Sequence, residues 1–288
     1  MSLQRLQPFA GTHAIQQVNF TFQWAPLPMG APHGQAEACL AELNQAMLGL
    51  GLQNVAPISM VHIQMHAGGA VPVAMAPAAA HGFEGRLPQV SGAPGFVVTA
   101  AAPDGLTVQV SPYTRWAPVV AKVLEVARVL VPVTAKIVPL TRIGLQVVDS
   151  FNWNASIEEL PIDAIFNRSS PWLASHVFDC RNFWHCNHGY FEPAALAGCV
   201  RQLNNVNVSV SGVVERPMLQ AALVHMLDLS EGGWWLREAA EIQRLAVALE
   251  HLHACNKTAM GQLLSAEVAE RVALWGRPSR EQQDGYGA

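Results

Sequence analysis

Charge is what this sequence has least of. Its 17 Lys and Arg and 21 Asp and Glu make up 13% of 288 residues, where ordinary soluble domains run near ~25%. Neither sign prevails: a formal net charge of −4 leaves no basic stripe to track phosphates, which argues against a nucleic-acid binder. No uninterrupted apolar run approaches the ~20 residues that a bilayer crossing requires, and residues 1–6 lack a signal-type apolar core. The sequence therefore reads as a cytoplasmic protein with no membrane partner. The five cysteines, Cys39, Cys180, Cys186, Cys199 and Cys255, are odd in number and scattered through a chain too long to need staples. Reduced thiols, mostly in the core, are the expectation. A Gly-x-Ser-x-Gly elbow, a Gly-x-Gly-x-x-Gly turn, a Walker loop and a His-Glu-x-x-His helix are all missing. No catalytic residue and no cofactor is assigned on sequence. A Cys–His dyad stays open, because such pairs meet in space rather than along the chain.

What is present is apolar. Mean hydropathy is +0.20, and two readings fit a surface so poor in charge. One is a composition biased to Ala, Gly, Pro and Val; the other is surface covered by further subunits. The region 96–150 organises the rest. Val97-Val98-Thr99 and Leu106-Thr-Val-Gln-Val110 flank Asp104-Gly105, a short-range hairpin signal. A helix over 117–130 follows, polar only at Lys122, Glu125 and Arg128, and a strand returns through Arg142-Ile-Gly144-Leu to Asp149.

The remaining elements complete an α+β fold with two mainly antiparallel sheet regions, one per half, and helices packed on them. Residues 18–24 alternate as a half-buried strand, residues 35–50 read as a helix, and 61–66 as a strand. Ser156-Ile-Glu-Glu159 fits a capping box with Pro161 in a first turn, and 206–211 and 219–229 read as a second hairpin. A helix over 235–254 carries Ile242, Leu245, Leu249 and Leu252 on one seam, and Ser265 caps a short helix ending at Trp275. The expected division is an N-terminal half over 1–152, a C-terminal half over 153–276 and a tail over 277–288. Gly144 inside a strand implies a close approach, with Trp116 or Tyr113 expected to cover it and Arg142 expected to pair within its own chain.

Four metal-ligating types fall in nine residues at Cys180, His185, Cys186 and His188. On a strand, Cys186 and His188 share a face while His185 points away. No zinc spacing of paired ligands fits, so a packed sheet face is the reading preferred to a metal site. His62 and His66 alternate on one strand face without a nearby carboxylate or cysteine, and read as a solvated polar face. His251, His253 and Cys255, spaced by two on a helix, read as surface and core residues rather than ligands.

The run Arg142-Ile-Gly-Leu, preceded by a hairpin, Tyr113, Trp116 and a helix, resembles a sporadically distributed family of uncharacterised bacterial and phage proteins. In that family a strand of pattern Arg-x-Gly-x-Arg-Tyr-x-Asn follows such a hairpin and helix. Leu249-Glu-His-Leu-His253 and Leu263-Leu-Ser-Ala-Glu-Val268 resemble its C-terminal helix pair. This chain departs at Gln146, Val147 and Asp149, where the family has Arg, Tyr and Asn. The resemblance implies an α+β fold and no established activity.

These readings point to a non-enzymatic structural or assembly protein acting through protein subunits, a phage particle being one place for it. The alternative is a cytoplasmic partner-binding protein of a defence, toxin-neutralising or regulatory system; a Cys/His- or metal-dependent enzyme is third. The charge-free stretch 67–82 is expected to supply contacts through Val71, Val73 and Met75. The tail, with Arg277 and Tyr286, is expected to lie along a neighbour.

Overall fold

The computed structural model describes residues 3–26, 33–58, 63–66, 69–72, 81–89, 91–101 and 105–275. Its elements in order are β1 (Leu6–Pro8), β2 (Ile15–Trp24), α1 (His33–Gly49), β3 (Gln53–Ile58), β4 (Ile63–His66), β5 (Gly69–Pro72), β6 (Gly82–Arg86), β7 (Phe96–Ala101), β8 (Gly105–Val110), α2 (Trp116–Thr134) and β9 (Leu140–Trp153). There follow α3 (Ile162–Ile165), β10 (Trp184–Pro193), β11 (Cys199–Val213), β12 (Arg216–Leu229), α4 (Gln243–Leu263) and α5 (Ala266–Arg271). The fold is α+β. Ten strands form one antiparallel sheet in the order β10-β11-β12-β9-β2-β8-β7-β6-β3, with β1 on the end of β9; β4 and β5 form a separate hairpin.

The two sheet regions expected from the two halves are present as wings of this one sheet. They join because β9 pairs with β2 on one side and with β12 on the other. A boundary at 152–156 thus falls at the end of a strand that both wings share. None of the helices among the described residues is long and apolar enough to cross a membrane.

Strict alternation decides which face the helices cover. Val18, Phe20, Phe22 and Trp24 of β2 are buried, while Gln17, Asn19, Thr21 and Gln23 stay partly exposed on the opposite face. There Gln17 donates to Asn19, whose amide donates on to Gln146 of β9 at 2.8 Å. β8 buries Leu106, Val108 and Val110, and β12 buries every second residue from Pro217 to Leu229. α1 packs Cys39, Leu43 and Met47 on the covered face, and α2 brings Val119, Val123, Val126 and Leu130.

Two apolar cores lie on this face. The first gathers α1, α2 and the start of α4 over β2, β7, β8 and the first part of β9; the second gathers α3, α5 and the end of α4 over β11, the first part of β12 and the end of β9. α4 belongs to both, through Leu245, Leu249 and Leu252 in the first core and Ala259, Met260 and Leu263 in the second.

Several boundaries differ from the sequence reading. The last long helix runs Gln243–Leu263 rather than 235–254. Residues 239–242 form a 3₁₀ turn, in which Glu241 accepts from the amides of Arg237 and Glu238 and so starts the helix late. Ser156 caps a 3₁₀ turn and accepts from the Glu158 amide, and only four residues after Pro161 are α-helical. Ser265 caps α5 as expected, but α5 ends at Arg271 and turns carry the chain to Trp275. Within the stretch 67–82, Gly69–Pro72 pairs with β4 instead of forming a loop. Val73, Met75, Arg277 and Tyr286 lie outside the described residues, as do the side chain of Val71 and the turn residue Asp104.

Candidate functional site

Polar side chains interrupt the apolar rows where the two cores meet. On β9 the covered row reads Ile143, Leu145, Val147, Asp149, Phe151, Trp153, placing a carboxyl between the last residue of one core and the first of the next. On β12, His225 falls between Leu223 and Leu227 in the same way, and on α4 Asn256 falls between Leu252 and Ala259. A polar seam therefore runs beneath α4.

At Asp149 the seam opens into a cleft of about 680 Å³. Its walls are the turn Thr12–Ile15, the segment Tyr113–Trp116 leading into α2, and the face of α4 bearing His253, Asn256, Lys257 and Met260. Those four share a face because their spacing is helical. Asp149 is paired across the sheet with Ile15 and with the small Ala221, and β2 is irregular between Ile15 and Gln17. Small neighbours and a broken register leave room above the carboxyl.

Asp149 is 6% exposed and takes part in none of the ion pairs among the described residues. Burial without a cation penalises the charged form and pushes its pKa up to about 7. Tyr113, buried beside it, has its phenol pushed above the usual range, first by burial and then by the Asp149 charge. Burial lowers the pKa of His13, whose ring meets Tyr113 edge-on at 5.8 Å, with the backbone of Tyr113 and Ile15 opposing. His253 stacks on Trp116 at 4.0 Å and 6° between planes; burial first, then the Lys257 charge, bring its pKa down to about 4 against the opposing pull of Glu250. Trp116 is fixed from the other end by its Nε1–H, which donates to Glu250 at 2.7 Å. Asn256 is 5% exposed and its Oδ1 has no hydrogen-bond partner among the described residues. The cleft thus joins two buried acceptors, two neutral imidazoles and a fixed aromatic wall.

A second polar cluster occupies the other side of α4. His251 Nε2 lies 2.6 Å from Gln202 Oε1, and Gln202 Nε2 donates to Asn204 Oδ1 at 2.7 Å and to Cys255 Sγ at 3.3 Å. His225 Nδ1 lies 2.7 Å from Asn204 Oδ1, while Asn204 Nδ2 donates to Glu192 at 2.6 Å. Cys255 Sγ is 3.7 Å from His251 Nε2. This pair is the spatial Cys–His contact that sequence left open, but the chemistry is against a nucleophile. The Gln202 carbonyl oxygen needs a hydrogen from Nε2, which removes the base, and burial pushes the thiol up rather than down. His225, buried and neutral with its Nε2 unpartnered, has its pKa brought down to about 4 by burial first and His251 second.

The sequence-derived candidates disperse. Cys180 ends a 3₁₀ turn; Cys186 Sγ contacts the Trp172 carbonyl at 3.7 Å; His188 lies edge-on to Trp172 at 5.9 Å; His185 projects from the opposite face of β10. Among the described residues no three His, Cys, Asp or Glu side chains converge as a metal would require. Arg142 pairs within the chain, donating to Asp228 Oδ1 at 2.7 Å, and Arg201 takes the other oxygen. Gly144 is the correction. It lies on the face away from Trp116 and Tyr113, and an added Cβ would meet Met226 at 3.4 Å and Thr21 at 3.5 Å, which is ordinary contact. Its alternation with the buried Ile143 and Leu145 sends it to that face.

Sequence reasoning passed over Asp149 except as a departure from a motif. The available signal was an acid in a period-2 apolar row. It also passed over the four-residue spacing of His251 and Cys255, and of His253 and Lys257, by weighing only neighbours two apart.

A larger cleft of about 990 Å³ lies between α3 and α5, lined by Asp163, Arg168, Glu270 and Trp275 among others. Asp163 is already paired with Arg168 at 2.8 Å, and no buried unpartnered group faces it.

No protein-family model and no curated protein matches the chain. Among solved structures it is similar to the crystal structure of the di-domain ARO/CYC StfQ from the steffimycin biosynthetic pathway, at 11% identity and a TM-score of 0.16, covering 93% of this chain and 99% of that one. A likeness at that level carries no argument about activity.

Proposed function

We propose that this chain is a structural or assembly protein that acts through protein–protein contacts, with a second copy joining at β10. The observation that supports this reading is the condition of that strand. β10 is ten residues long, ends the sheet order and, among the described residues, pairs only with β11. Natural edges of that length are usually blunted by Lys, inward charge or a covering loop. Here the one charged residue is Glu192, which is bonded to Asn204. Tyr190 is 42% and Phe191 58% exposed, with Phe183 just before the strand and Val200 and Val213 on β11 also exposed. A chain with 13% charged residues puts little electrostatic repulsion between two such edges. The place of such a protein is the cytoplasm of the producing cell or a particle, such as a phage, assembled there.

Sedimentation of the purified chain tests this. The expected result is a dimer or larger species, reduced to monomer in a Tyr190→Lys, Phe191→Lys double variant that still unfolds in a cooperative transition. An intact chain that sediments as a monomer at all concentrations overturns the reading.

A further inference from the structure

We propose that the cleft over Asp149 is a binding site for a small amphoteric molecule, carrying an amine at one end and a carboxylate or phosphate at the other. The cleft is formed within a single chain and is present whether or not the chain self-associates.

Two side chains more than nine-tenths buried, Asp149 and Asn256, line the cleft with acceptor oxygens. Among the described residues Asp149 has no ion pair, and Asn256 Oδ1 has no hydrogen-bond partner. Leaving a buried acceptor such as Asn256 Oδ1 unmade costs about 1–3 kcal/mol, and with the unpaired Asp149 in the same cleft this calls for a donor from outside. A primary ammonium, with three N–H groups and no acceptor, has donors for both. The same cleft is lined by two cations, Arg115 and Lys257, neither in an ion pair among the described residues. Lys257 rests 5.8 Å from the Trp275 ring, and its charge acts on His253. Neither cation lies within ion-pairing distance of the Asp149 carboxyl among the described residues.

Charge separation within the cleft sets the ligand class. A simple amine would meet the acceptors but also the unpaired cations; a simple anion would meet the cations but also the buried carboxyl. A molecule with both groups answers each end. The remaining titratable groups facing the cleft, His13, Tyr113 and His253, are held neutral and add no competing charge near pH 7.

The test is calorimetric titration and thermal melting of the full chain with the common L-α-amino acids and phosphoethanolamine, using n-butylamine and butyrate as one-function controls. Binding of at least one two-function compound is expected, with both controls at least tenfold weaker. Preference for amino acids over phosphoethanolamine assigns the anionic end to a carboxylate, and the reverse assigns it to a phosphate. Asp149→Asn and, separately, Asn256→Ala should each weaken that binding at least tenfold, and Lys257→Gln should weaken it while leaving butylamine unaffected. Should no two-function compound bind, or a control bind equally well, or Asp149→Asn bind undiminished, the proposal is overturned.

Discussion

Asp149 holds its carboxyl where an apolar residue would be expected, and the consequence can be measured. Its pKa is near 3.8 when unfolded and about 7 in the fold. The fold therefore holds this proton more tightly, and the contribution to stability is full below pH 3.8, declines as pH rises, and is lost above about 7. At 1.36 kcal/mol per pH unit the penalty at neutral pH is on the order of 4 kcal/mol. Asp149→Asn removes the titration. Urea unfolding at pH ~8 should show the variant more stable by a few kcal/mol, with the gap closing by pH ~4. His225 and His253 act in the opposite sense. Each falls from 6.5 to about 4, so the stability they contribute is present above 6.5 and lost as pH drops through 4. Two groups outweigh one in that window, so the intact chain should weaken on acidification and Asp149→Asn should weaken more steeply. Cys255 offers a simpler check. Its thiol is pushed up by burial, so alkylation by iodoacetamide at neutral pH should be much slower than for a free thiol.

At the scale of elements, α4 decides most. Its apolar seam was legible, because Ile242, Leu245, Leu249 and Leu252 recur at helical spacing and all four are buried. Its start was not, because the Glu241 cap that delays the helix is made by backbone amides no periodicity reports. Nor was the sorting of its polar residues, which depends on a second core lying beyond the first. Leu252→Ala should cost about 2–5 kcal/mol, as for any fully buried leucine. The hairpins β7–β8 and β11–β12 were readable from alternation, whereas β10 was obscured by its cysteine and two histidines. Gly144 misled for a related reason: alternation gives the two faces of a strand but not which one the helices take.

The whole molecule behaves as one sheet with two cores, and this governs how it comes apart. β9 is a central strand of both wings and α4 packs in both cores, so neither core can open without disturbing the other. Thermal unfolding followed by tryptophan fluorescence should coincide with unfolding followed by far-ultraviolet circular dichroism, in a single transition. Trp24 and Trp234 report on the first core, Trp153 and Trp172 on the second. Two separated transitions would mean that the shared strand and helix do not couple the halves. The same sharing explains why a boundary near residue 153 looked natural in sequence. Composition changes there, but hydrogen bonding does not stop.

A ribosome meets that shared architecture in a fixed order. β9 is complete at Trp153, yet the helix that closes its covered face ends only at Leu263, about 110 residues later. At roughly 5–20 residues per second this leaves Ile143, Leu145 and Val147 without their α4 cover for on the order of 5–20 s. The emerging chain must spend that interval with an apolar sheet face open to solvent, in a sequence with few charges to keep neighbouring chains apart.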